Sequence, residues 1–209
     1  VKYVGKGAGL NRALVVTAVV MFGVTGVITA GSNSDHKVAI HVLSHEDRTC
    51  TSNFPDFVTC GDVTQTFAGC GDIDVFPVFF DLVAVTSLDY GLTWPISWGS
   101  CVFTVCAGDL RIGDIVSPGD GIAHAWIDCQ YEWAITPGYA WLYADGPGKI
   151  CPVANPTTGD LTVVDCDRET DQPMETFCAG VCGKPGDDPC GGSPPEDPTT
   201  WGTIKSIFR

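Results

Sequence analysis

Residues 75–94, VFPVFFDLVAVTSLDYGLTW, place two different strand signatures side by side. The first part, 75–85, is almost wholly apolar and rich in Val and Phe, the signature of a central strand buried on both faces. Pro77 sits near its start, where a missing backbone donor costs least. In the second part Leu88, Tyr90, Leu92 and Trp94 alternate with Asp89, Gly91 and Thr93. A period of two marks a strand with one face in a core and one face outside. A fully buried strand followed at once by a half-buried one points to an all-β fold.

The rest of the chain extends that reading. Segment 37–45, KVAIHVLSH, alternates with Val38, Ile40 and Val42 on one face and reads as the first strand. Residues 46–74 read as loop. Further strands are expected at 101–106, 110–115, 121–128, 138–144, 148–154 and 160–165. Turn signals separate them: Ser117-Pro118-Gly119-Asp120-Gly121, Thr136-Pro137-Gly138, Asp145-Gly146-Pro147-Gly148 and Asn155-Pro156-Thr157-Thr158-Gly159. Short strands with frequent turns predict a β-sandwich, and no long helix is expected within it.

The flanks differ in character. Residues 1–30 carry Lys2, Lys6 and Arg12 ahead of the apolar run Ala13 to Ala30, which ends in the small pair Thr29-Ala30. We read this as an export signal, the other reading being a retained hydrophobic helix of the kind found in filament subunits. The run contains Gly23 and Gly26 and is marginal as a membrane span. Residues 31–183 form the expected sandwich domain. Residues 184–200, KPGDDPCGGSPPEDPTT, read as a Pro/Gly/Asp linker with little to bury. Residues 201–209, WGTIKSIFR, have Trp201, Ile204, Ile207 and Phe208 at helical spacing and read as an amphipathic C-terminal tag.

Charge and cysteine content narrow the function classes. The formal net charge is −14, and downstream of residue 30 eight Lys and Arg stand against 25 Asp and Glu. Such a chain is repelled by nucleic-acid phosphates and anionic lipid, so membrane contact is expected only through the leader or the tag. All 11 cysteines (Cys50, Cys60, Cys70, Cys101, Cys106, Cys129, Cys151, Cys166, Cys178, Cys182 and Cys190) follow the leader. After an export signal they read as a disulfide framework, which places the protein outside the cytoplasm. An odd number leaves one unpaired. Cys101 with Cys106, and Cys178 with Cys182, are close enough to pair locally. At least three bridges are expected, mostly in the 50–70 and 166–190 regions outside the central sandwich.

The chemistry-bearing residues fit binding better than catalysis. No Gly-x-Ser-x-Gly elbow, phosphate loop or dinucleotide fingerprint is present. His41 and His45 have the spacing of zinc ligands on a helix, but Val42 stands where a zincin carries its Glu. On a strand they lie roughly 13 Å apart at about 3.3 Å per residue, too far to share one ion. His124, between Ala123 and Ala125, reads as a satisfied sandwich residue. Asp165, Asp167, Glu169 and Asp171 alternate through VVDCDRETD, and the aspartates are candidate ligands for Ca2+, the one cofactor the sequence suggests. Tyr139, Trp141 and Tyr143 share one strand face opposite Ala140, Leu142 and Ala144. If the small face packs inward, the three aromatics form an outward ligand-binding platform suited to sugar stacking; in the other packing they fill the core.

The stretch from Asp74 to Asp165 resembles the cohesin-like branch of the immunoglobulin-like β-sandwiches. The residues that carry the resemblance are Val75-Phe76-Pro77-Val78-Phe79-Phe80, the aromatic strand Leu88 to Pro95, Gly121-Ile122-Ala123-His124-Ala125-Trp126 and Tyr139-Ala140-Trp141-Leu142-Tyr143-Ala144. Ile112-Gly113-Asp114-Ile115 followed by Pro118-Gly119-Asp120-Gly121 is similar to a set of secreted bacterial proteins with no assigned activity. Known cohesins are cysteine-poor, unlike this chain. The resemblance implies a non-catalytic binding module, and it transfers no partner. The expectation is therefore a secreted binding or cell-surface interaction module with a protein or glycan partner. The alternatives are a structural subunit of a filament or coat, and a carbohydrate-active hydrolase built on paired carboxylates.

Overall fold

The computed structural model describes residues 31–190. The leader, residues 191–200 of the expected linker and the 201–209 tag lie outside them. Two sheets face each other. The first contains β1 (Lys37–Ser44), β3 (Gly71–Phe80), β5 (Val102–Val105), β8 (Ala134–Ile135), β9 (Gly138–Ala144) and β13 (Glu175–Phe177), in the order β13-β1-β3-β9-β5 with β8 also on β3. The second contains β2 (Thr66–Phe67), β4 (Val85–Thr93), β6 (Leu110–Gly113), β7 (Gly121–Gln130), β10 (Gly148–Val153), β11 (Thr162–Val164), β12 (Thr170–Asp171) and β14 (Ala179–Val181). Its order is β12-β11-β4-β10-β14-β2, with β7 joining β4 to β6. The expected all-β sandwich is the fold observed. The helical content of the described residues is two single turns of 3-10 helix, at Cys60–Asp62 and Ile96–Trp98. Among the described residues no helix is long and apolar enough to cross a membrane.

Strand alternation builds the core. Val38, Ile40 and Val42 of β1, Ile73, Val75 and Phe79 of β3, and Ala140, Leu142 and Ala144 of β9 face Leu88, Tyr90 and Leu92 of β4, Ile122 of β7 and Ile150 of β10 in one buried cluster. The expected strand at 75–85 is displaced. β3 begins at Gly71 and stops at Phe80, because Asp81 adopts a φ of 61° and turns the chain. Pro77 consequently lies inside the strand rather than near its start. Pairing of β3 with β9 ends at Val75, and its pairing with β8 begins at Phe79. The missing N–H thus falls in a gap between partners, where no ladder bond is lost.

The outer face of the first sheet is covered over part of its length. Phe54 and Phe57, from the loop after β1, pack with Phe76, Val78, Phe80, Tyr139 and Phe177 in a second cluster. This loop is pinned at two points, by Cys50–Cys106 and Cys60–Cys190. Three further bridges, Cys70–Cys182, Cys129–Cys166 and Cys151–Cys178, complete the set, and Cys101 is the free, buried thiol. The local pairings Cys101–Cys106 and Cys178–Cys182 do not form. Cys101 points into the core, while Cys106 and Cys182 are taken by distant partners. All five bridges have an end in the 50–70 or 166–190 region, as expected, but two of them reach into the sandwich, since Cys129 belongs to β7 and Cys151 to β10.

Residues 184–190, at the start of the segment read as linker, run directly over the sandwich. A side chain at Gly180 would strike the Lys184 carbonyl, and one at Gly186 the Gln65 carbonyl. Gly186 N–H donates to Thr66 Oγ1 at 3.0 Å. Asp187 accepts from Lys149 Nζ at 2.6 Å and from Cys178 N–H at 2.7 Å.

Candidate functional site

β9 turns its small residues inward. Ala140, Leu142 and Ala144 are 1–3% exposed, and bulky Phe79, Ile73 and Ile40 from neighbouring strands fill the layer that three aromatics would overfill. Tyr139, Trp141 and Tyr143 therefore project from the outer face. Their environments differ. Tyr139 is 7% exposed beneath the loop, its ring beside Phe54 and Phe76, and its hydroxyl donates to the Arg48 carbonyl at 2.7 Å. Trp141 and Tyr143 are 42% and 55% exposed. Two of the three expected platform residues are open and the third anchors the loop.

The open pair sits in a prepared setting. Trp141 Nε1–H donates to Asp72 Oδ1 at 3.0 Å, and the His45 ring stacks on the indole at 5.1 Å and 22°. Across the sheet, Trp141 is in register with Val102 of β5, which is 58% exposed, and Tyr143 is in register with Asp72. Ser100, Cys101, Val102, Trp141 and Tyr143 line a shallow hollow of about 160 Å³. The Cys101 thiol at its base donates to the Ile115 carbonyl at 3.2 Å, and burial pushes its pKa up to about 12. It is a thiol at neutral pH and unreactive as a nucleophile. β5 is the last strand on that side of its sheet, so its outward backbone groups are unpaired within the sheet.

The boundary between the open and covered halves is a buried polar knot. Asp74, with a fully buried side chain, accepts from Arg48 Nε at 2.7 Å and from Glu46 N–H at 3.3 Å, and its other oxygen bonds His45 Nδ1 at 2.7 Å. The Arg48 guanidinium lies 5.8 Å over the Phe76 ring. Asp74 thereby positions both the loop that covers Tyr139 and the histidine that stacks on Trp141. Sequence reading missed this knot. Its signal was the alternation of Asp72 and Asp74 at the head of an apolar strand.

The other expected sites resolve into structural roles. His41 accepts from Thr64 N–H at 2.7 Å beneath Phe57 and Phe76, and burial pulls its pKa down to about 4. His124 stacks on Tyr90, with Nε2 3.3 Å from the Tyr90 hydroxyl oxygen, and burial pulls it too down to about 4. Asp165 is 2% exposed and accepts from the backbone of Asp167 and Glu169 and from Ser32 N–H and Oγ–H. Burial works to raise its pKa, but these hydrogen bonds hold it below the ordinary carboxylate value. Asp171 accepts from Gly31 N–H at 2.9 Å and Asn33 N–H at 3.0 Å. Asp167 lies exposed in the turn. Of the carboxylates expected to wrap Ca2+, Asp165 and Asp171 direct their oxygens to backbone N–H groups and the Ser32 hydroxyl, whereas Asp167 and Glu169 are exposed. Among the described residues no group of three or more His, Cys, Asp or Glu is arranged to hold a metal.

No protein-family model matches the chain, and no curated protein matches it. Among solved structures it is similar to a type II cohesin domain from the cellulosome of Acetivibrio cellulolyticus. That match has a TM-score of 0.47 and 7% identity, and covers 71% of this chain and 95% of the other. It is also similar to a chain of a type I cohesin–dockerin complex from Clostridium thermocellum, with a TM-score of 0.43, 10% identity, and coverage of 70% and 97%. The seventh ScaB type I cohesin from Pseudobacteroides cellulosolvens matches with a TM-score of 0.43, 10% identity, and coverage of 70% and 90%.

Proposed function

We propose that the chain is a non-catalytic binding module acting outside the cytoplasm, and that Trp141, Tyr143 and Val102 form its contact face for a protein partner. The observation that carries this reading is the exposure of two large aromatics on a rigid strand, with the indole already held by Asp72 and His45. Trp and Tyr dominate the energetics of protein interfaces. A side chain fixed before binding loses little freedom on contact, which favours affinity. The free edge of β5 beside them offers main-chain groups to an extended partner segment. Five disulfides suit an oxidising compartment. Asp74, the most buried carboxylate near the face, has both oxygens engaged by Arg48, Glu46 and His45, which supports binding over acid–base chemistry.

A glycan is the second reading, favoured by the same aromatics with the Asp72 carboxylate beside them. Retention of the purified protein on its own cell envelope, together with a glycan array, tests both. Trp141→Ala and Tyr143→Ala should each weaken binding by at least about tenfold, equivalent to about 1.4 kcal/mol. Met174→Ala, an exposed substitution elsewhere, should not. Loss confined to protease-treated envelopes supports a protein, and array signals abolished by the same variants support a glycan. Binding unaffected by either aromatic variant contradicts the proposal.

A further inference from the structure

Residues 31–33 form a fitted joint at the edge of the sandwich. Gly31 N–H lies 2.9 Å from Asp171 Oδ1, Asn33 N–H 3.0 Å from Asp171 Oδ2, and Ser32 N–H and Oγ each 3.2 Å from Asp165 Oδ2. Asn33 is fully buried and fastens the joint to the second sheet, donating to the Ala84 carbonyl at 2.7 Å and accepting from Val83 N–H at 2.8 Å. A Cβ at Gly31 would collide with the Asp171 carboxylate, which would have to move off its backbone donors.

The joint gathers two carboxylates whose partners are hydrogen-bond donors. Asp165 and Asp171 are 2% and 6% exposed, and among the described residues neither forms an ion pair with Lys, Arg or His. The titratable neighbours are the His36 ring, which feels the Asp171 charge but is held toward its neutral form by burial, and Asp167, Arg168 and Glu169 in the exposed turn after Asp165, of which Arg168 forms no ion pair with either carboxylate. Hydrogen bonds already favour the charged form of Asp165, and a positive charge beside Asp171 adds attraction to the pair. The atom nearest to supplying one is the Gly31 nitrogen. It follows Ala30, the last residue of an apolar run with a basic flank, where a small residue marks the cut of an export endopeptidase.

We infer that hydrolysis of the Ala30–Gly31 peptide bond turns the Gly31 nitrogen into an α-ammonium that serves as the counter-ion of Asp171 and Asp165 and locks the processed N-terminus into the sandwich. The cut consumes one water. Ala30 leaves with a carboxylate, and Gly31 keeps an amine that takes up a proton at neutral pH. Processing then completes a part-buried ion pair as well as removing a leader, and the small residue at position 31 leaves the Asp171 carboxylate on its backbone donors.

The test uses the full chain expressed in an exporting host. Mass spectrometry of the exported protein identifies its first residue, and brief acetylation at about pH 7 measures the accessibility of its α-amine, native and unfolded. Only the neutral amine reacts, and each unit of pKa elevation makes it about tenfold scarcer, so native Gly31 should label at least about tenfold more slowly than unfolded Gly31. Asp171→Asn should recover most of that rate. Should this variant fail to fold, the native-to-unfolded ratio of the unsubstituted protein decides alone. A mature protein that begins elsewhere, or a Gly31 amine labelled equally fast in both states, overturns the inference.

Discussion

At the scale of single residues, the interior holds imidazoles kept neutral by their surroundings. His41 and His124 have pKa values of about 4 in the folded protein because burial disfavours their charged form. In the unfolded chain they titrate near the ordinary value of about 6.5. Between these limits the unfolded state binds more protons, so the stability they contribute is present above about pH 6.5 and is lost as pH falls toward about 4. Each contributes up to roughly 3 kcal/mol to that loss. Denaturant unfolding across this range should show stability falling steadily with acid, with His124→Phe giving a shallower slope while keeping a ring against Tyr90. An unchanged slope in that variant would show that His124 is not held neutral. The sequence marked His124 as a satisfied interior residue; it is interior, but only Nε2 has a partner and Nδ1 has none, and the Tyr90 contact was hidden because it joins β7 to β4 across 34 positions.

At the scale of elements, β9 divides its residues between core and surface. Its inner Ala140, Leu142 and Ala144 belong to the core, and its outer Trp141 and Tyr143 are exposed. Phe79→Ala on adjacent β3 should cost about 3–5 kcal/mol, since a fully buried ring is replaced by a cavity. Trp141→Ala should cost under about 1 kcal/mol, because the indole is substantially exposed. Thermal or denaturant unfolding of the two variants checks the contrast. Comparable losses would mean that Trp141 supports the fold rather than the surface. The inner and outer faces of β9 were legible from alternation. Which set faced the core was not, because that depends on the volumes supplied by β1 and β3. The covering of Tyr139 was equally hidden, since it depends on a loop fixed by Arg48 and Asp74 rather than by any periodic pattern.

At the scale of the whole molecule, the long strands were written in local sequence and the closure of the sandwich was not. β1, β4, β7 and β9 follow clear alternation, whereas β2, β12, β13 and β14 are two or three residues long and carry no period. These short strands are placed by partners far away, as when β13 pairs in parallel with β1. The disulfides follow the same rule. Their sequence separations run from 27 to 130, so neighbouring cysteines were a poor guide to pairing. What emerges is a cross-linked sandwich that presents one pre-set aromatic face. The central claim is that this face meets a partner. The most direct measurement places a photo-activated benzoylphenylalanine at position 143 of the exported protein and, as a control, at Tyr131, which is 75% exposed. Irradiation on the native cell surface should give a discrete adduct from position 143 and none from position 131. No adduct at 143, or equal adducts at both positions, would contradict the claim.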